Sequence, residues 1–412
     1  LRRLTTQNLH NWSAQSREFP IWCWHYVLTG KKVTLASEIA HFMGSGTALN
    51  NRARIALVDP CKRVILLECR PIPYRDISKA RLFDTPERRD LVVLAPYSTC
   101  KQMGLGRVPE HPISAWCVDS KRVIPLDQSI AESVADDTRW HWQPLVSDEQ
   151  YTKDVAELVQ QIRAGRFYQT NLLRHYVSES TWSDRQIAQR LLLRGGPYSA
   201  WIRTSDFELV SFSPERFVTI HGDADGAIIS TFPIKGTAPR SQNESHDSAA
   251  AAALLQSPKD RAELNMIVDL MRNDLYPICQ KQSIDVVNAG SLKTFKYVHH
   301  LEAEIRGRLR NDVVWSETID ALCPAGSITG APKREVMIAI DEIEGMDRGL
   351  LMGNIFFVDS ASHTLQSSVL IRTMQRVGTN PWHFAAGSGI VVKSEPHLER
   401  MEVDAKCQVV RD

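Results

Sequence analysis

One lysine in this sequence is placed for nucleophilic work. Lys235 follows a β-type run and precedes a glycine in Thr231-Phe232-Pro233-Ile234-Lys235-Gly236-Thr237. A desolvated amine could attack an electrophile there, with Gly236 letting backbone N–H groups approach an anion. A solvated lysine at a sheet edge fits the same letters. Two acidic pairs share an i, i+3 spacing, Asp260 with Glu263 and Glu399 with Glu402. Like charges so placed cost roughly 0.2–0.5 kcal/mol on an isolated helix. Either these are two solvated faces softened by Lys259, Arg261 and Arg400, or the helices converge and four carboxylates hold Mg²⁺, a hard cation that takes oxygen ligands. The loop Pro324-Ala325-Gly326-Ser327-Ile328-Thr329-Gly330-Ala331-Pro332-Lys333 runs into a helix, where backbone N–H groups could bind an anion beside Lys333. A plain helix-entry turn competes with that reading, and the Walker A spacing is absent. Ala386-Gly387-Ser388-Gly389-Ile390 again offers close backbone approach, with Arg372 expected on a preceding strand. Together these residues describe a site for a small, multiply anionic ligand and one divalent cation.

The elements that position them come from a chain of 412 residues with 49 basic and 48 acidic side chains and a net charge of +1. That balance gives no global attraction to nucleic acid or to anionic membranes. The longest apolar stretch, Ala249 to Leu255, is far shorter than the roughly 18–20 residues of a membrane span. Eight cysteines without a C-x-x-C pair form neither a disulfide framework nor a zinc pattern, and point to a reducing cytoplasm. Leu1 to Arg17 is basic but lacks the apolar segment of a secretory signal, and a truncated or unusual start followed by a frayed segment is expected in preference to a transit peptide. Ser147 with Gln150 opens a helix carrying Val155, Leu158, Val159 and Ile162 on one face, with Gly165 beyond its end. Ser183 with Gln186 opens another, closed by Gly195. Strands are expected at 55–58, 64–67, 91–94, 167–176, 208–212, 216–220 and 227–232, and long helices at about 259–274 and 332–343. Strands and helices alternate without βαβ regularity. The expected class is α+β: a large, mostly antiparallel β-sandwich core with helices packed outside. Residues 1–145 read as a divergent N-terminal lobe of that unit, and 146–412 as its catalytic domain.

Taken in order, the motifs resemble the chorismate-utilising enzyme family. They are Gln169-Thr170-Asn171-Leu172, Ser213-Pro214-Glu215-Arg216-Phe217, Pro233-Ile234-Lys235-Gly236-Thr237, and Asp260-Arg261-Ala262-Glu263 running on to Asp274. Val298-His299-His300-Leu301, Gly326 to Lys333, Ile371-Arg372-Thr373, and Gly387-Ser388-Gly389 through Glu399-Arg400-Met401-Glu402 to Lys406 follow. The resemblance covers roughly residues 147–408. Within the family, lysine in the P-I-K-G-T motif is similar to the aminodeoxychorismate synthases, whereas anthranilate synthases carry a small residue there. Isochorismate and salicylate synthases place a general-base lysine where this chain has Gln169, which argues against water as the nucleophile.

The resemblance implies roles. Lys235 would attack the chorismate ring as the free amine, with Glu215 as general acid and His300, or its neighbour His299, beside the ring and leaving group. Gly236, Thr237, Arg372, Gly387, Ser388, Gly389 and Lys406 would bind the carboxylates and ring. Glu263 and Glu402 would ligate Mg²⁺ directly, with Glu399 and Asp260 nearby. Ammonia would come from a separate glutamine amidotransferase subunit. Pro197-Tyr198-Ser199 resembles one wall of a tryptophan pocket found in some relatives, whose opposing wall is expected around residues 44–53. The family's P-F-x-G-G segment is missing from 95–119, and Asn354-Ile355-Phe356-Phe357 stands where relatives show an S-I-G-Y-like strand. The expected function is chorismate amination at ring position four. The rivals are an anthranilate synthase-like reaction and a non-catalytic paralogue that binds chorismate or a glutaminase.

Overall fold

A computed structural model of the chain describes residues 35–44, 49, 52–60, 63–97, 112–125, 140–180, 182–223, 226–294 and 298–411. The basic segment 1–17 and the acidic stretch 126–137 lie outside the described residues.

Among the described residues, seventeen strands organise the fold. They are β1 Ala53–Asp59, β2 Arg63–Ile72, β3 Leu91–Ala95, β4 Ser114–Pro125, β5 Gln143–Pro144 and β6 Gln169–Ser178. Then come β7 Ala200–Arg203, β8 Phe207–Ser211, β9 Arg216–Asp223, β10 Gly226–Thr231 and β11 Ile234–Pro239. The last six are β12 Asp285–Thr294, β13 Val298–Arg308, β14 Asn354–Asp359, β15 Thr364–Val369, β16 Thr373–Val377 and β17 Trp382–Val391. Every ladder between them is antiparallel. One continuous path of pairings runs β5-β6-β17-β16-β8-β7-β1-β2-β4-β3-β14-β15-β9-β10-β13-β12, with β11 on β13 beyond the end of β10. Strands from 53–125 therefore sit in the middle of the same sheet system as those from 200–391.

The period-two alternation of side chains explains the layering. In β2, Ile65, Leu67 and Cys69 enter one buried cluster while Val64 and Leu66 enter another. In β3, Val92 and Leu94 join the first cluster while Leu91, Val93 and Ala95 join a third. The first cluster is thus the interior of a sandwich. The second lies under the helices Asp148–Arg163, Asp184–Arg194 and Pro396–Arg411, and the third under Pro258–Leu275 and Trp315–Leu322. Strands covered on both faces read as nearly unbroken apolar runs, as Leu91–Ala95 does.

Both expected N-caps start helices, but only Ser183 forms a full capping box, since the Gln150 side chain turns to Asp154. Ser147 accepts from the Gln150 N–H, and Ser183 exchanges both bonds with Gln186. The expected helices at 259–274 and 332–343 are Pro258–Leu275 and Lys333–Glu344. The alanine run belongs to a helix, Glu244–Gln256, capped by Asn243. Arg372 corrects an expectation: it lies just before β16, in a left-handed turn at φ 51°.

Candidate active site

The two ends of the sheet path meet around Lys235. From one end, β17 runs beside β6 with Gly389 opposite Asn171 and Gly387 opposite Leu173. From the other, β11 pairs Lys235 with Leu301 of β13 and bulges at the next residue, Gly236. A Cβ added at Gly389 would lie 3.4 Å from the Lys235 Nζ, so this glycine leaves the amine its place. Gly236 is left-handed at φ 74° and packs on Asp260, whose Oδ1 would stand 2.9 Å from a Cβ there. The side chain of Thr237 lies outside the described residues.

Electrostatics favour an acid and a free base side by side. Burial pulls the Lys235 pKa down, opposed by Glu263, Glu215 and Glu402 and assisted by Lys406. Burial pushes the Glu215 carboxyl up, opposed by the Ser327 hydrogen bond and by Lys235, Lys406 and Arg372. Both groups are shifted toward their uncharged forms. The Ser327 hydroxyl donates to Glu215 Oε1 at 2.7 Å.

The two adjacent histidines have different settings. His299 is buried between Thr294 Oγ1 at 2.9 Å and Asp247 Oδ1 at 3.1 Å, a satisfied core residue. His300 Nδ1 lies 3.3 Å from the Gly236 carbonyl, to which it donates. Burial lowers the His300 pKa, so its ring is neutral at pH 7. Arg372 is held below its usual pKa by burial and acts electrostatically on both Glu215 and His300.

The remaining expected residues divide. Lys406 donates to the Gly387 carbonyl at 2.8 Å and pairs with Glu402 at 2.7 Å. Ser388 departs from expectation. Alternation along β17 turns its side chain into the core beside Tyr151, and only the flanking glycines face the site. Lys333 is also not aimed at a ligand, since its Nζ bonds Asp274 at 2.7 Å. Glu263 and Glu402 bear on Lys235 from two helices, but among the described residues no three acidic or imidazole side chains come together closely enough to hold an ion. Glu402 turns to Lys406, Asp260 sits against Gly236, and Glu399 is buried near Tyr151. The oxygen donors of these carboxylates, from two helices flanking one amine, suit a hard divalent cation in kind.

Tyr198 and Ser199 line a small cavity with Leu57, Val58, Asp59 and Ile65, and most of the expected opposing wall at 44–53 lies outside the described residues. The preceding Pro197 stands in the same turn, where Tyr198 N–H donates to the Ser213 carbonyl.

Three residues were absent from the expected site. Ser327 grips the acid, although its loop was singled out only as an anion turn. Gln169 and Asn171 pair with Val391 and Gly389 on the site face, and their side-chain oxygens are buried with no hydrogen-bond partner among the described residues. Buried amide oxygens left unsatisfied are uncommon and mark places where a ligand can complete the bonding.

No helix among the described residues is long and apolar enough to cross a membrane. The five cysteines described, at 69, 117, 279, 323 and 407, are buried, and none of them forms a disulfide among the described residues.

Comparison with known proteins agrees with this geometry. Residues 98–412 match the family described as chorismate binding enzyme. Aminodeoxychorismate synthase component 1 of Escherichia coli is 35% identical over 262 residues, which cover 63% of this chain and 56% of that protein. Anthranilate synthase component 1 of Lactococcus lactis is 32% identical over 264 residues, covering 64% and 57%. The matched stretch is thus little more than half of each relative. Two solved structures share the fold. Anthranilate synthase component I from Streptococcus pneumoniae has a TM-score of 0.68 at 21% identity, covering 96% of this chain and 98% of that one. The menaquinone-specific isochorismate synthase from Escherichia coli has a TM-score of 0.70 at 15% identity, covering 93% and 92%. With three quarters of its length matched and its site residues in the matched part, this chain belongs to the chorismate-binding enzyme family.

Proposed function

We propose that this chain is the large subunit of an aminodeoxychorismate synthase, making 4-amino-4-deoxychorismate from chorismate and ammonia in the route to p-aminobenzoate and folate. The observation that carries the reading is half-buried Lys235, its pKa pulled down, electrostatically coupled to half-buried Glu215, its pKa pushed up. A neutral amine is a nucleophile and a protonated carboxyl is an acid, and the first step needs both. The Lys235 Nζ forms a bond to ring carbon two while the C4–O bond breaks. Glu215 gives its proton to the departing hydroxyl, which leaves as water. The nitrogen, now a secondary ammonium, sheds one of its own two protons, which the ionised Glu215 carboxylate accepts. Ammonia then forms the C4–N bond as the C2–Nζ bond breaks, and one proton restores the lysine.

Arg372, the backbone of Gly236, Gly387 and Gly389, and Lys406 bind the carboxylates and ring. Neutral His300, fixed by the Gly236 carbonyl, stands by the ring. Mg²⁺, held by Glu263 and Glu402 with Glu399 and Asp260 nearby, would supply positive charge for the ring carboxylate. The ammonia source is a partner glutaminase, and the setting is cytoplasmic. The similarity to Escherichia coli aminodeoxychorismate synthase supports the reading, and the anthranilate synthase similarity names its rival.

The test is the mass and chromatographic identity of the product from chorismate, Mg²⁺ and an ammonium salt. 4-Amino-4-deoxychorismate is expected, with rate rising as NH₃ replaces NH₄⁺ and with no turnover on glutamine by the chain alone. Anthranilate as the product would overturn the assignment.

A further inference from the structure

Beneath the site lies a buried ion pair that touches both of its walls. Glu344 ends its helix and Arg348 lies four residues on, beyond the left-handed Gly345, and each side chain is only 1% exposed. The carboxylate takes Arg348 Nε at 2.8 Å and Nη2 at 2.6 Å. Burial would raise the Glu344 pKa, but the Arg348 charge and bonds, helped by His175, hold it down at about 2. The guanidinium then donates outward in two directions. Nη1 reaches the Ile328 carbonyl at 3.0 Å and Nη2 reaches the Asn171 carbonyl at 2.8 Å. Glu344 Oε1 also accepts from the Leu173 N–H at 2.8 Å, and the Tyr97 ring covers the guanidinium at 4.6 Å.

Both carbonyls matter for what stands next to them. Ile328 follows Ser327, the donor to Glu215. Asn171 is paired with Gly389, the glycine against the Lys235 amine. The far end of the same loop is held separately, by Lys333 on Asp274. A buried ion pair adds little net stability compared with apolar packing, so its value here is geometric. Only a planar fork with five donors can satisfy one carboxylate and two divergent carbonyls at once.

We propose that Arg348, oriented by Glu344, is a positioning residue that sets the spacing between the general acid and the nucleophile. It rests on the roles given above to Glu215 and Lys235. It acts through the Ser327 loop on one side and the β6–β17 pair on the other, and it touches no reacting atom.

The test is Arg348→Lys, which keeps the charge and loses the fork, assayed as chorismate consumed whatever the product. The KM for chorismate should stay within about twofold while kcat falls about 10- to 100-fold, the range expected when reacting groups are misplaced by about 1 Å. The alkaline limb of the kcat–pH profile should move to higher pH, because a loosened Ser327 bond no longer favours ionised Glu215. In a Ser327→Ala background, Arg348→Lys should add little further loss. An unchanged kcat, a fall that only follows the folded fraction seen by circular dichroism, an unmoved limb, or losses that multiply in the double variant would overturn the proposal. Should Arg348→Lys not fold, the double variant Arg348→Met with Glu344→Met leaves no unpaired buried charge and carries the same expectations. A parent enzyme that makes anthranilate would overturn the proposed function and this inference with it, whereas an unchanged Arg348→Lys kcat in an enzyme that makes 4-amino-4-deoxychorismate would overturn this inference alone.

Discussion

Ser327 Oγ donates to Glu215 Oε1 at 2.7 Å across 112 positions of sequence. A hydroxyl bonded to a carboxylate favours its ionised form, whereas burial favours the proton. The acid is thus held between two opposing influences, and Ser327 is the one a single substitution removes.

Ser327→Ala should therefore raise the Glu215 pKa further. The alkaline limb of the kcat–pH profile, where the acid loses its proton, is expected to shift to higher pH. The maximal rate should fall about tenfold, because the carboxyl loses the bond that aims it, while general acid catalysis as a whole is worth roughly 10²–10⁴. A pH–rate series on both proteins checks the direction. A limb displaced to lower pH would mean that Glu215 is not the titrating acid.

The metal assignment gives a separate expectation. If Glu263 and Glu402 hold Mg²⁺, then Glu263→Gln and Glu402→Gln should each weaken the ion at least 10- to 100-fold, the loss typical even of outer partners of a metal. Glu402 is half-exposed and paired only along its own helix with Lys406, so its variant should keep the parent Tm. Calorimetric titration of Mg²⁺ with chorismate present reads the affinity directly. Parent-like affinity in both variants would place the ion elsewhere.

Much of this architecture was legible from local patterns. Capping pairs and apolar periodicity set the helices after Ser147 and Ser183, because those signals act within one or two turns. The helix over Ala249–Leu255 was missed: an alanine-rich run has no polar face to give a period, and only Leu254 of that helix is buried. Site chemistry was legible as far as residue type goes, and Lys235, Glu215 and His300 do gather. What spacing could not give was direction. Strand register decides that Gly389 faces Lys235 while Ser388 faces Tyr151. Nor could it give the Arg348 contact to Asn171, since those residues are 177 positions apart.

The two glycines of β17 should respond differently to the same change. A Cβ at Gly387 would come within 2.2 Å of the Leu172 carbonyl, which the strand ladder cannot move aside. A Cβ at Gly389 meets only the Lys235 amine, at 3.4 Å. Gly387→Ala is expected to lower Tm sharply, by about 1–3 kcal/mol of overpacking. Gly389→Ala should leave Tm within a few degrees and cost most of kcat/KM, since it crowds the nucleophile. Thermal melts paired with steady-state kinetics decide it, and the reverse pattern would show that Gly389 does not line the site.

Lys235 links chemistry to stability in one substitution. Its pKa is depressed in the folded chain and normal, near 10.4, when unfolded. The native state therefore binds fewer protons than the unfolded state across the interval between the two values, and this group's contribution to stability rises with pH through that interval. Below it, folding bears the cost of burying or neutralising the amine. Lys235→Met removes that cost, so the variant should melt a few degrees above the parent at pH 7, with the gain shrinking as pH approaches 10. The same variant should lose turnover. Chorismate given without ammonia should add mass to the parent on the peptide Phe232–Thr237, and should add none to the variant. If Lys235→Met made 4-amino-4-deoxychorismate at the parent's rate, the lysine would not be the nucleophile. If it melted below the parent at pH 7, the half-buried amine would be better satisfied by its carboxylate neighbours than its depressed pKa implies.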